Sequence, residues 1–332
     1  MRRLRSTAAA LLLDVPTFER HLRGRWERIR NRGEQLTPEP GGRGVRCEWK
    51  WTSSLRVCEL FPGTASRLMQ AALRDWPIEF ADAPPSRDAP EVSFLIGHRG
   101  LERLPLLLLT LRTIAAQRGA AVECIVVEQS AVREIEHALP SWVRYVHQPV
   151  EPDAPYSRAR TFNEAARVAR ARLLVLHDND MLVPMRYAAE LAAKARAGDE
   201  VLDLKRFVFY LTPEVTARVI ERGVLPPEAR SESVVANLRG GSTGITADAY
   251  AAIGGFDETF VGWGGEDVEL WERAETRRAN RFGYFPLVHL WHAPQREKTQ
   301  GASAPAVERY YELAKIPVAE RIARLRSRNG DD

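Results

Sequence analysis

The chain has 332 residues, 45% apolar and 28% charged, a globular composition that excludes a disordered, collagen-like or low-complexity protein. Mean hydropathy is −0.32 and no long uncharged apolar run occurs, so no membrane-spanning helix is expected. The net charge of +4 is uneven: residues 1–46 hold 11 arginines against 5 acids, and the rest holds 37 basic against 39 acidic side chains, which argues against nucleic-acid binding by the main part.

Ala8–Leu13 follows Arg2, Arg3 and Arg5 and mimics a secretion signal, but Asp14 ends the apolar run too soon. Cys47, Cys58 and Cys124 form no C-x-x-C pair, which excludes a disulfide scaffold and makes the cytoplasm the expected location. Phe18, Leu22, Trp26 and Ile29 recur at helical spacing, with Arg20, Arg23, Arg25, Arg28 and Arg30 on the other faces. Such a helix either docks its aromatic face on its own protein, the favoured reading, or lies peripherally on the inner face of an anionic membrane through residues 1–36. Thr37–Gly44 reads as a breaker-rich linker, Cys47–Val57 as strand-like and Thr64–Asp75 as a helix, before a Pro-rich break at Ala81–Pro90.

From Glu91 strands and helices alternate, the pattern of a parallel α/β sheet. Strands are predicted at 91–97, 122–128, 142–147 and 172–178, and helices at Leu104–Gln117, Val132–Leu139 and Ser157–Ala169. The almost wholly apolar strand at 172–178 belongs in the sheet centre, covered on both faces. It runs straight into His177-Asp178-Asn179-Asp180. Carboxylates just beyond a strand's carboxyl end suit a hard divalent cation bridging phosphates, although an Asx-rich turn before the next helix would read the same way. A second constellation at 240–274 has two glycine pairs, a Gly-Trp-Gly-Gly turn, and then Glu266-Asp267 opening a helix. Carboxylates stay ionised at a helix N-terminus. An Asp there, beside a glycine-flanked Trp263, has the attributes of a general base facing a polyol. A plain helix cap explains the acids but not the clustered glycines.

D-N-D after an apolar strand, with F-V-G-W-G-G-E-D-V-E at 260–269, resembles the glycosyltransferases of the GT-A fold. The second stretch is similar to the C-terminal galactosyltransferase motif shared by β-1,4-galactosyltransferases, bacterial chondroitin-type polymerases and many bacterial family-2 transferases. The likeness runs from Val92 to His292 and includes Tyr156-Ser-Arg158-Ala-Arg160-Thr-Phe-Asn163, similar to the family's F-x-R-A-x-x-x-N helix. It implies an N-terminal extension at 1–90, a GT-A domain with a mostly parallel, helix-flanked sheet at 91–296, and a C-terminal helical segment at 297–332.

The resemblance further implies a UDP-sugar donor, a saccharide or glycoconjugate acceptor, and Mn²⁺ or Mg²⁺. Asp180 would ligate the metal with help from Asp178, which would otherwise hold the ribose. A histidine from VHLWHAP would complete the site, His292 being preferred to His289. Arg158 would approach the diphosphate. Trp263, with Gly264 and Gly265, would close over the sugar, Glu266 would bind sugar hydroxyls, and Asp267 would be the base. Further nucleotide contacts fall on His98 and Arg99, where the family's P-F-R-N-R stands here as Ile96-Gly97-His98-Arg99-Gly100. They fall also on Glu128, where Glu128-Gln129 replace the usual acid near the uracil. Retaining relatives commonly read W-G-G-E-N, so the Asp favours inversion. The alternatives are a retaining transferase on the same fold, a metal-dependent nucleotidyltransferase, which would want a Gly-rich, Lys/Arg-bearing loop after the first strand, and a silent carbohydrate-binding module, which would have no need for all of Asp178, Asp180 and Asp267.

Overall fold

The computed structural model describes residues 10–49, 51–85, 88–262, 264–293 and 304–329. Its first strands are β1 (Leu36–Pro38), β2 (Val45–Cys47) and β3 (Ser53–Ser54). The alternating region supplies β4 (Val92–His98), β5 (Val122–Ser130), β6 (Arg144–Pro149), β7 (Leu173–His177), β8 (Met181–Leu182) and β9 (Val201–Leu202). Then come β10 (Lys205–Leu211), β11 (Ser231–Ala236), β12 (Ser242–Thr246), β13 (Ala279–Asn280) and β14 (Phe285–His289). The main sheet runs β13-β9-β12-β7-β4-β5-β6, with β7, β4, β5 and β6 mutually parallel and β12 antiparallel to β7. A second sheet runs β3-β11-β10-β14-β8, in which only β10 and β14 are parallel. This is the expected α/β architecture, and β7 does lie mid-sheet with every residue buried.

Both faces of the main sheet are covered because the side chains of β4 alternate. Phe94 and Ile96 meet Leu107, Leu111 and Ile114 of the helix Leu104–Ala115, while Leu95 packs on the opposite face with Phe162 of the helix Arg158–Val168. Pro105 opens the first of these helices, and the Ser157 side chain caps the second by accepting from Arg160 N.

The segment before residue 90 is woven into the second sheet. β3 pairs with β11, and Phe18, Trp26 and Ile29 are each 2% exposed, in one core with Phe207 and Phe209. Trp26 Nε1 also donates to Asp75 at 2.9 Å. The aromatic face that periodicity offered to a membrane is therefore occupied by the protein itself. It is not one helix, however: the helix Val15–Leu22 stops before Gly24, and Trp26 and Ile29 follow in and just after a 3₁₀ turn.

Three further expectations are corrected. Thr37–Gly44 is no linker but mostly the connection of a β1–β2 hairpin, closed by Glu39 N donating to Gly44 O at 2.8 Å. Among the described residues of Cys47–Val57, only Cys47 and Ser53–Ser54 are in strands. Val132–Leu139 holds a single 3₁₀ turn at Glu136–Ala138, entered from a loop that the buried Glu128 carboxylate holds by accepting from Glu134 N and Ile135 N. At the other end the helices Pro305–Leu313 and Val318–Asn329 pack on the helix Glu266–Ala274. Buried Arg321 reaches Glu269 at 3.3 Å and Glu272 at 2.7 Å, and Tyr310 donates to Glu272. Among the described residues no helix is long and apolar enough to cross a membrane.

Candidate active site

A cleft of about 1050 Å³ opens beyond the carboxyl ends of β4 and β7, where open α/β sheets bind ligands. Asp178 and Asp180 leave β7 at the point where the chain passes from the main sheet to the second, and this crossing separates them. Asp178 stays with the main sheet, its N–H donating to Gly241 O at 2.9 Å. Asp180 joins the second sheet: Leu290 N donates to its carbonyl at 2.9 Å, and Met181 is in register with His289. The intervening turn is fixed by buried contacts. His177 Nε2 donates to Met181 O at 2.9 Å, and Asn179 Nδ2 donates to His98 Nδ1 at 2.9 Å.

On the second-sheet side, Asp180, His289 and His292 present ligand atoms all within 4.8 Å of one another. His289 Nε2 is 3.5 Å from Asp180 Oδ1, and His292 Nε2 is 3.2 Å from Oδ2. Arg103 Nη1 also reaches Asp180 Oδ2, at 2.9 Å. Burial works to raise the Asp180 pKa, but the two histidines and Arg103 outweigh it and hold the carboxyl well below the usual range. Its buried Oδ1 has no hydrogen-bond partner. One ionised carboxylate with an unsatisfied oxygen and two imidazoles fit a divalent cation. Both histidines belong to this group, and Asp178 does not.

On the main-sheet side one arginine faces three acids. Arg158 pairs with Asp178 at 2.6 Å and with Asp267, lies 3.9 Å from Glu266, and stacks 4.6 Å over the Phe162 ring. Burial pushes Asp178 up to about 6, with Asp180 and Asp267 adding to the rise against the pull of Arg158. Glu266 is pushed up to about 7 by burial and by Asp267. It accepts from Gly264 N at 3.0 Å, at the head of a helix whose N-cap, Gly265, needs φ +87°. Gly240 admits Asp267, since a Cβ there would lie 2.1 Å from its Oδ2.

The other expected nucleotide contacts divide. Arg99 lines the cleft, held by Gln129 O at 2.7 Å and by Ala154 O. His98 is fully buried and neutral, burial pushing it down to about 4, and its ring nitrogens serve Gly100 O and Asn179. It shapes the turn and offers no atom to a nucleotide. Glu128 is likewise fully buried, accepting from Glu134 N and Tyr145 OH. Trp263 lies outside the described residues. The sequence reading missed Arg103, which belongs to no motif. It also missed Tyr210, whose ring stacks 4.4 Å from His289 only because β10 and β14 pair across a long separation.

Residues 227–289 match the family model described as the N-terminal domain of galactosyltransferase. That stretch contains W-G-G-E-D and ends on His289, so the resemblance read from the sequence is borne out there: the chain carries a glycosyltransferase segment of galactosyltransferase type. No curated protein matches the chain in sequence. Among solved structures, it is similar to the catalytic domain of Drosophila beta1,4-galactosyltransferase 7 in complex with xylobiose, at 16% identity and a TM-score of 0.36. The similarity covers 57% of this chain and 64% of that one.

Proposed function

We propose that the chain is a metal-dependent, inverting glycosyltransferase that moves a hexose or N-acetylhexosamine from a UDP-sugar of the galactose, N-acetylgalactosamine or glucose type to a hydroxyl of a glycan or glycoconjugate. The observation that carries this reading is the pairing, within one cleft, of a cation-fitting Asp180/His289/His292 corner with the Arg158/Asp267 corner at the W-G-G-E-D turn. Three cysteines without disulfide bonds accord with a cytoplasmic protein.

Asp180, His289 and His292 would hold Mn²⁺ or Mg²⁺, which when bound supplies positive charge to the donor's diphosphate. Arg158 exchanges its carboxylate partners for that diphosphate as negative charge builds on it. Asp267, released from Arg158, takes the proton of the acceptor hydroxyl. The oxygen forms its bond to the anomeric carbon while the bond from that carbon to UDP breaks, and UDP leaves with the electron pair. Glu266 orients sugar hydroxyls. The role given to Trp263, closing over the sugar to exclude water, rests on its sequence context alone. A base at Asp267, where retaining relatives carry Asn, favours inversion, and NMR of the product's anomeric proton reads it. The function is tested by a donor screen that follows UDP release. Turnover with one of these UDP-sugars in Mn²⁺ and none in EDTA is expected; full turnover in EDTA contradicts the proposal.

A further inference from the structure

His292 Nδ1 has two partners that it cannot serve at once. It lies 2.9 Å from Arg103 Nη2 and 2.7 Å from Ala293 O. A guanidinium only donates and a carbonyl only accepts, so the first contact needs a bare Nδ1 and the second needs Nδ1–H. With Arg103 in place, the proton of the neutral ring sits on Nε2 and is donated to Asp180 Oδ2, 3.2 Å away. The atom facing the cation site then has no lone pair to give. With Ala293 O as partner the proton sits on Nδ1 and the Nε2 lone pair is free, the usual arrangement of a metal-ligating histidine. Arg103 also blocks the site by charge, its other terminal nitrogen lying 2.9 Å from Asp180 Oδ2. Its side chain is 17% exposed and lines the cleft, so it has open space to turn into.

We propose that Arg103 gates the cation site. In the cation-free protein its guanidinium stands in for the ion, holding Asp180 and keeping His292 in the non-ligating tautomer. On cation entry the ring proton passes through solvent from Nε2 to Nδ1, where Ala293 O accepts it. No proton is gained or lost, and the freed guanidinium swings into the cleft, where the donor's diphosphate is its next partner. The inference rests on the cation reading of the proposed function. It makes the cation and the nucleotide bind cooperatively, because the cation frees Arg103 for the diphosphate and the diphosphate draws Arg103 off the cation site.

The test is Mn²⁺ titration followed by electron paramagnetic resonance, on wild type and Arg103→Met, each with and without UDP. Arg103→Met should bind Mn²⁺ about tenfold more tightly without UDP and lose the share of UDP's tightening that passes through Arg103, keeping only that from direct attraction between cation and diphosphate. Equal or weaker binding by the variant would overturn the gate, since an arginine that merely supports His292 would weaken the site when removed. Wild type and variant both failing to take up Mn²⁺ would instead overturn the cation reading, and the gate with it. ¹⁵N NMR of the cation-free wild type guards against a misfolded variant: the proton of His292 is expected on Nε2, and a proton on Nδ1 contradicts the proposal.

Discussion

Asp178 and Asp180 are two residues apart, Asp178 with a third of its side chain open to the cleft and Asp180 buried, and their surroundings drive their carboxyl groups in opposite directions. Asp180 faces two imidazoles and a guanidinium and is held ionised. Asp178 shares one arginine with two other acids, and burial pushes it up to about 6. The cause is topological: between them the chain leaves the main sheet for the second, so one Asp falls among glycines and the acidic helix head and the other beside β14. A D-x-D motif here thus spans two environments, one whose donor set fits a cation and one in which a single arginine is shared among acids.

The sharpest way to break that comparison is to neutralise each acid in turn. Asp180→Asn should weaken Mn²⁺ binding by roughly a hundredfold or more, since loss of a group supporting a ligand already costs 10–100-fold. Asp178→Asn should leave Mn²⁺ binding within a few-fold of wild type. Calorimetric titration of the two variants decides it, and equal losses would merge the two corners into one metal site.

A smaller effect separates the corners by pH. Glu266 has a folded pKa of about 7, above its unfolded value, so the stability of its protonated form is present at acid pH and is lost as pH rises towards 7. Glu266→Gln removes that loss. Melting curves should show the variant gaining on the order of 1–3 kcal/mol relative to wild type between pH 5 and pH 8 in the absence of ligands. A pH-independent difference would mean that Glu266 is ionised throughout.

What the sequence showed and what it hid follow the range of the forces involved. The strands at 92–98, 122–130 and 173–177 were legible because burial on both faces writes a mostly apolar centre into each. The Asp178, Asp180 and Glu266-Asp267 positions were legible because each follows a strand end or a glycine turn. The environments of those acids were not, since the β8–β14 and β10–β14 pairings join residues about 80 to 110 positions apart, and nothing near Arg103 or Tyr210 announces them. His98 and Glu128 misled for the opposite reason: they end strands on the right side of the sheet, but their polar atoms are used up by Asn179, Gly100, Glu134 and Tyr145.

The division of labour in the cleft is tested most directly by the transfer rate of Asp267→Asn at saturating Mn²⁺ and UDP-sugar, with donor affinity measured on the same protein. Asn keeps the size of the side chain and an oxygen for Arg158, so the fold and donor binding should survive. The loss of a general base should lower kcat by about 10²–10⁴-fold. A kcat near that of wild type, or a marked loss of donor binding, would contradict the account.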